Sequence, residues 1–108
     1  MKFRIVLEKR FESEVRQFAD YLTKVKGEWS DFNTAAIEID QALAGIAAKP
    51  DMHPYLHIVG APYRACLYRY SLRQTYWIIY LTDDAAGIVR FLSFWHTSRD
   101  PLTLLSRR

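Results

Sequence analysis

His96 and Arg99 stand three residues apart in the stretch FLSFWHTSRDP, 91–101, where an apolar run gives way to a polar turn. An imidazole and a guanidinium at a strand end are suited to phosphate chemistry. Cleaving RNA by attack of its own 2′-hydroxyl takes a base for that proton, cations for the crowded phosphorane and an acid for the leaving oxygen, with no cofactor. The C-terminal half carries further groups of the right types: Arg64, Arg69 and Arg90, and the tyrosines at 68, 70, 76 and 80. From Pro62 onward there are seven arginines, no lysine and three aspartates. The planar fork of arginine suits bidentate binding of phosphate or carboxylate. The same residues also make sense as a solvated basic surface, with the tyrosines half-buried in a sheet.

Other chemistries are poorly served. His53 and His57 are four apart, but Pro54 between them disfavours a regular helix, and the chain has no cysteine pair and no HExxH, so no metal site is expected. Cys66, between Ala65 and Leu67, reads as a small buried hydrophobe. No GxSxG or P-loop pattern occurs. A single cysteine forms no internal disulfide, which agrees with a reducing compartment.

These groups need a scaffold. A chain of 108 residues reads as one domain, 1–108, and 50% hydrophobic with 25% charged residues describes a folding chain. No apolar run approaches the roughly 18 residues of a membrane span, and the apolar stretch in MKFRIVLEKR is too short for a secretory leader. A soluble cytoplasmic protein is expected. The net charge of +3 permits a nucleic-acid or acidic protein partner without selecting either.

Hydrophobic period then divides the chain. Residues 2–8 alternate Phe3, Ile5 and Leu7 against Lys2, Arg4 and Glu8, as a strand does. Phe11, Val15, Phe18, Leu22 and Val25 form a helical stripe, with Gly27 as its stop. Ser30 or Asp31 is the expected N-cap of a second helix carrying Phe32, Ala36, Ile39, Leu43 and Ile46, which Pro50 ends. Residues 50–62 hold three of the four prolines and read as a loop. Residues 63–71, 76–82 and 87–96 are aromatic and β-branched strands separated by short turns. The expected fold is an α+β two-layer domain of order β-α-α-β-β-β, a helical hairpin on a mainly antiparallel sheet joined by the N-terminal strand. On the last strand strict alternation puts Ile88, Arg90, Leu92, Phe94 and His96 on one face and Val89, Phe91, Ser93 and Trp95 on the other. Both faces are apolar, so neither is marked as the helix side, and the other is expected to be covered or to bind a partner.

This order, with YRACLYRY, YWIIY and IVRFLSFWHTSRDP closing the chain and PDMHPYLHIVGAP before them, resembles the RelE/ParE superfamily of toxins from type II toxin–antitoxin systems, which include plasmid stabilisation systems. The resemblance covers nearly the whole chain and implies a RelE-like fold. It implies a toxin that needs no cofactor and is neutralised by a cognate antitoxin. RelE-like members cleave mRNA on the ribosome, whereas ParE-like members inhibit DNA gyrase. Arg64 matches the family's arginine at the start of the second strand, and His96 and Arg99 match the closing histidine and arginine. For cleavage the resemblance implies His96 as general base or acid, Arg64 and Arg99 on the scissile phosphate, and Arg69, Arg90 and Tyr80 as nucleic-acid contacts. Trp77 stands where the family's Y-R-I-x-Y strand has an arginine, and Lys49 is the only lysine near the loop. A different class is a non-toxic protein- or nucleic-acid-binding module, or a decayed toxin, that shares only the fold.

Overall fold

The structure, a computed structural model, describes residues 3–25, 29–53, 63–71 and 74–98, with side chains from 33 onward in the second helix. Strand β1 (Arg4–Leu7) leads into helix α1 (Lys9–Asp20), whose last turn widens into a π-turn at Tyr21–Val25. Helix α2 (Trp29–Ala48) is followed by a single 3₁₀ turn at Pro50–Met52. Strands β2 (Arg64–Arg69), β3 (Thr75–Asp83) and β4 (Ile88–His96) complete the chain order. The sheet runs β1-β4-β3-β2, with β1 parallel to β4 and the other pairs antiparallel. Asp83 accepts a hydrogen bond from the Ala86 N–H at 3.1 Å and Gly87 takes φ +66, so the β3–β4 turn uses the one residue type that adopts that angle without strain.

The helices cover one face of the sheet. Phe11 and Phe18 of α1, Leu22 of the π-turn, and Ala35, Ile39, Leu43 and Ile46 of α2 are buried there against Ile78, Val89, Phe91 and Phe94. The α2 stripe passes through Ala35 rather than Ala36, which is only half-buried. Ser30 and Asp31 lie inside the helix, which begins at Trp29, so neither is its N-cap. Gly27, the side chains of Val25 and Phe32, and the loop from 54 to 62 with His57 lie outside the described residues. On β1, Ile5 and Leu7 are each 39% exposed, because β1 is an edge strand with a neighbour on one side only.

Strict alternation fails on β4. Ile79 pairs with Ser93 but Tyr80 pairs with Phe91, so Leu92 is an extra residue with no cross-strand partner. This bulge reverses the parity of everything after it. Val89, Phe91 and Phe94 therefore all join the helix-covered core, whereas Trp95 joins Tyr63, Ala65 and Ile79 in a second buried cluster on the opposite face. His96, two residues after Phe94, follows Phe94 to the helix side.

Beyond Leu7 the free edge of β4 meets α1 instead of a strand. The Glu14 carboxylate accepts the Ser93 hydroxyl at 2.7 Å and the Phe94 N–H at 3.2 Å. It thereby satisfies backbone that an edge strand leaves unpaired.

Candidate functional site

His96 pairs across the sheet with Tyr76, which in turn pairs with Tyr68. The imidazole meets the Tyr76 ring edge-on at 5.1 Å, and Tyr76 stacks on Phe94 at 4.2 Å with planes 13° apart. Below Phe94 lies Phe18 of α1 at 5.6 Å. The ring stack is thus fixed by the core from beneath. Above it, an open cleft of about 310 Å³ lies between α1 and the sheet end, with Gln17, Tyr21, Gln74 and Ser98 on its walls.

The polar groups here are oriented by short local bonds. The Ser98 N–H donates to His96 Nδ1 at 3.0 Å, and the Ser98 hydroxyl lies 2.7 Å from the same nitrogen. With Nδ1 accepting, a neutral ring carries its hydrogen on Nε2. A base role for His96 would require the Ser98 contacts to break first, whereas a donor role from Nε2 is compatible with them. The Tyr76 hydroxyl donates to the Gln74 side-chain amide oxygen, Oε1, at 2.9 Å. Burial, and secondarily the neighbouring Tyr21, push the Tyr76 phenol up to about 12, so it stays neutral and keeps that donor role at physiological pH.

Arg64 is elsewhere. It pairs with Tyr80, four residues along β3 from Tyr76. At ~3.3 Å per residue and ~4.8 Å between strands, the backbones of Arg64 and His96 are about 16 Å apart. The Arg64 side chain is held at its own end, donating to the His53 carbonyl at 2.6 Å and lying 3.5 Å from Asp51. Arg69 is exposed at the far end of β2 opposite Thr75. Arg90 lies 3.5 Å from Glu8 on the face away from the helices. Tyr80, expected to touch nucleic acid, is instead 0% exposed, its hydroxyl donating to the Pro50 carbonyl at 2.6 Å. It ties the end of α2 to the sheet and offers no surface to a ligand. Arg99 lies outside the described residues.

Trp77 packs on the second cluster, opposite Trp95 and Leu67. The position thus holds an apolar ring where the resemblance calls for a cation. Burial raises the Cys66 thiol above its ordinary range, which leaves it a packing residue. Tyr68 is raised too, by burial first and then by its hydrogen bond to Glu38 at 3.0 Å. No group of three or more potential metal ligands occurs among the described residues, and none of the described helices is long and apolar enough to cross a membrane.

Sequence reasoning missed Glu14, Gln17, Tyr21, Gln74 and Ser98. Gln17 and Tyr21 are four apart, hence on one helix face beside the Phe18 stripe, and that was the only available signal. Glu14 lies one turn earlier on the same helix face, whereas Gln74 and Ser98 come to the cleft through the pairing of β3 and β4.

No family model matches the chain, and no curated protein matches it. Among solved structures it is similar to the toxin–antitoxin complex RelBE2 from Mycobacterium tuberculosis, with a TM-score of 0.62 at 13% identity, covering 92% of this chain and 95% of that one. At that identity the likeness is one of fold: two helices on a four-stranded mixed sheet, the RelE-like arrangement.

Proposed function

We propose that this chain is the toxin of a type II toxin–antitoxin pair, held inactive by a cognate antitoxin. The observation that carries this reading is the overlap with a chain of a toxin–antitoxin complex along nearly the full length of both. A surface suited to such a partner supports it. A groove of about 330 Å³ runs between α1, α2 and the β1 edge, floored by Leu7, Val15, Ile39 and Leu43 and rimmed by Glu12, Arg16 and Asp40. An apolar floor with charges of both signs at the rim fits an amphipathic segment that folds as it binds.

Two actions are open to such a toxin. Ribosome-dependent mRNA cleavage would use His96, with Arg64 and Arg99 on the phosphate and Arg69 and Arg90 along the strand. Inhibition of DNA gyrase needs a binding surface only. The Arg64 guanidinium, held at its own end of the sheet by His53 and Asp51, and the apolar Trp77 favour the second action. A base and a cation that act on one phosphate belong within a few ångströms of each other. The site lies on a soluble protein acting in the cytoplasm under either action.

The test is induced expression in a bacterium with and without the adjacent reading frame. Growth arrest that the neighbour relieves is the expected result, and unimpaired growth in both cultures overturns the reading. In arrested cells, intact mRNA with blocked supercoiling by purified gyrase supports the non-cleaving action. Cuts in ribosome-bound mRNA that disappear in His96→Ala support cleavage.

A further inference from the structure

Strand β2 closes the sheet on the side away from β1. Its inner edge bonds to β3. The Tyr70 N–H donates to the Gln74 carbonyl at 3.0 Å, and the register pairs Tyr68 with Tyr76, Cys66 with Ile78 and Arg64 with Tyr80. Residues 64, 66, 68 and 70 are therefore the ones whose backbone groups face β3. The N–H and C=O groups of Ala65, Leu67 and Arg69 point the other way, and among the described residues no strand lies there. Such a row is a template for a further strand.

The side chains of β2 match its own sequence run backwards. Leu67, the middle of the outward set, is 45% exposed. Antiparallel pairing of two β2 strands about Leu67 sets Leu67 opposite Leu67, Cys66 opposite Tyr68 and Ala65 opposite Arg69. Outward backbone groups then meet outward backbone groups, as an antiparallel ladder requires. No arginine faces an arginine. The long Arg69 lies opposite the small Ala65 of the other copy, and Arg64 stays with its own His53 carbonyl and Asp51. Within each chain Leu67 pairs with Trp77, so the junction is apolar on the face away from the helices. Centring on Cys66 or Tyr68 would instead set Leu67 against Ala65 or Arg69, and the exposed leucines would lose their apolar match.

We propose that β2 is a homodimerisation edge: two copies of this chain join β2 to β2, antiparallel about Leu67, into one continuous sheet. The dimer rests on β2 alone and is independent of the toxin reading and of the groove beside β1. The contact is a single strand of six residues, so the dimer is reversible and dissociates on dilution.

The experiment is sedimentation velocity of the full-length chain over a dilution series, with engineered cysteines to fix the register. A shift from 12.7 kDa toward twice that mass with rising concentration is the expected result. Leu67→Lys sets two like charges opposite each other in place of two leucines and is expected to weaken the dimer about tenfold or more. In a Cys66→Ala background, Leu67→Cys is expected to form a disulfide-linked dimer under mild oxidation, because opposed residues have Cα atoms about 5.5 Å apart, within disulfide reach. Arg69→Cys in the same background is displaced from its copy by roughly 13 Å along the strands and stays unlinked. The proposal is overturned by a chain that remains monomeric throughout the series, by a dimer that folded Leu67→Lys leaves unchanged, or by Leu67→Cys cross-linking no better than Arg69→Cys.

Discussion

The two ends of the sheet treat their polar side chains in opposite ways. At the start of β2, Arg64 is only 17% exposed and is tied to the backbone of His53 just after the 3₁₀ turn. Together with the Tyr80 hydroxyl on Pro50, it anchors the segment leaving α2 to the sheet. At the end of β4, His96 and Gln74 are oriented by near neighbours in sequence and border an open cleft. An arginine at a strand start can thus be occupied by the fold itself. Among the described residues, the histidine at the strand end borders a ligand-sized space between α1 and the sheet.

Substitutions test that contrast in order of their effect on stability. Phe94 belongs to the core as well as to the cleft, since it lines the cleft and packs on Phe11, Phe18 and Tyr68. Phe94→Ala is expected to cost about 3–5 kcal/mol in urea denaturation. A cost below about 1 kcal/mol would show that the cleft floor is not part of the core. Glu14→Ala strips the partner from the Ser93 hydroxyl and the Phe94 N–H, and about 2–3 kcal/mol should be lost. Full stability in this variant would mean that α1 does not hold the β4 edge. Arg64→Ala should cost about 1.5 kcal/mol, with Arg64→Lys recovering only part because an ammonium cannot reproduce the fork. If Arg64→Ala kept full stability yet abolished growth arrest, Arg64 would be a target-facing residue and the contrast between the two ends would fail.

The smallest effect belongs to His96→Ala, a half-buried side chain at the rim, for which a change within about 0.5 kcal/mol is expected by the same denaturation assay. A larger loss would move His96 into the scaffold along with Arg64. The cleft also has a pH signature. The Tyr76 phenol titrates near 12 in the folded chain and near 10 when unfolded, so the folded state holds this proton after the unfolded state has released it. Its contribution is fully present below pH 10 and is lost as pH rises through about 12. Denaturation midpoints should therefore fall over that window, and less steeply in Tyr76→Phe. An identical slope in the variant would remove Tyr76 from the buried ring stack.

Much of this architecture was legible from period and punctuation. Phe11, Phe18 and Leu22 announced α1, Ile39, Leu43 and Ile46 announced α2, and three aromatic runs with short turns announced the meander. The helix start at Trp29 was not legible, because Ser30 and Asp31 are as acceptable inside a first turn as at a cap. The exposure of Ile5 and Leu7 was not legible either, since an apolar alternation does not say whether a strand is central or at an edge. Of the site, residue types at His96 and Arg64 could be read, but not their separation.

By itself the sequence determined the kinds of elements and their order, because apolar period and turn residues act over a few neighbours along the chain. It also determined that the chemistry available was imidazole, guanidinium, phenol and amide. Tertiary structure decided the rest. The bulge at Leu92 turned Phe94 and His96 to the helix side and Trp95 away from it, and nothing in the alternation of 88–96 reveals where one residue goes unpaired. Antiparallel pairing set Tyr76 beside His96 and placed Arg64 four residues away along the strands. Register is settled by the fit of whole faces across the sheet, a long-range property that no local stretch of the sequence contains.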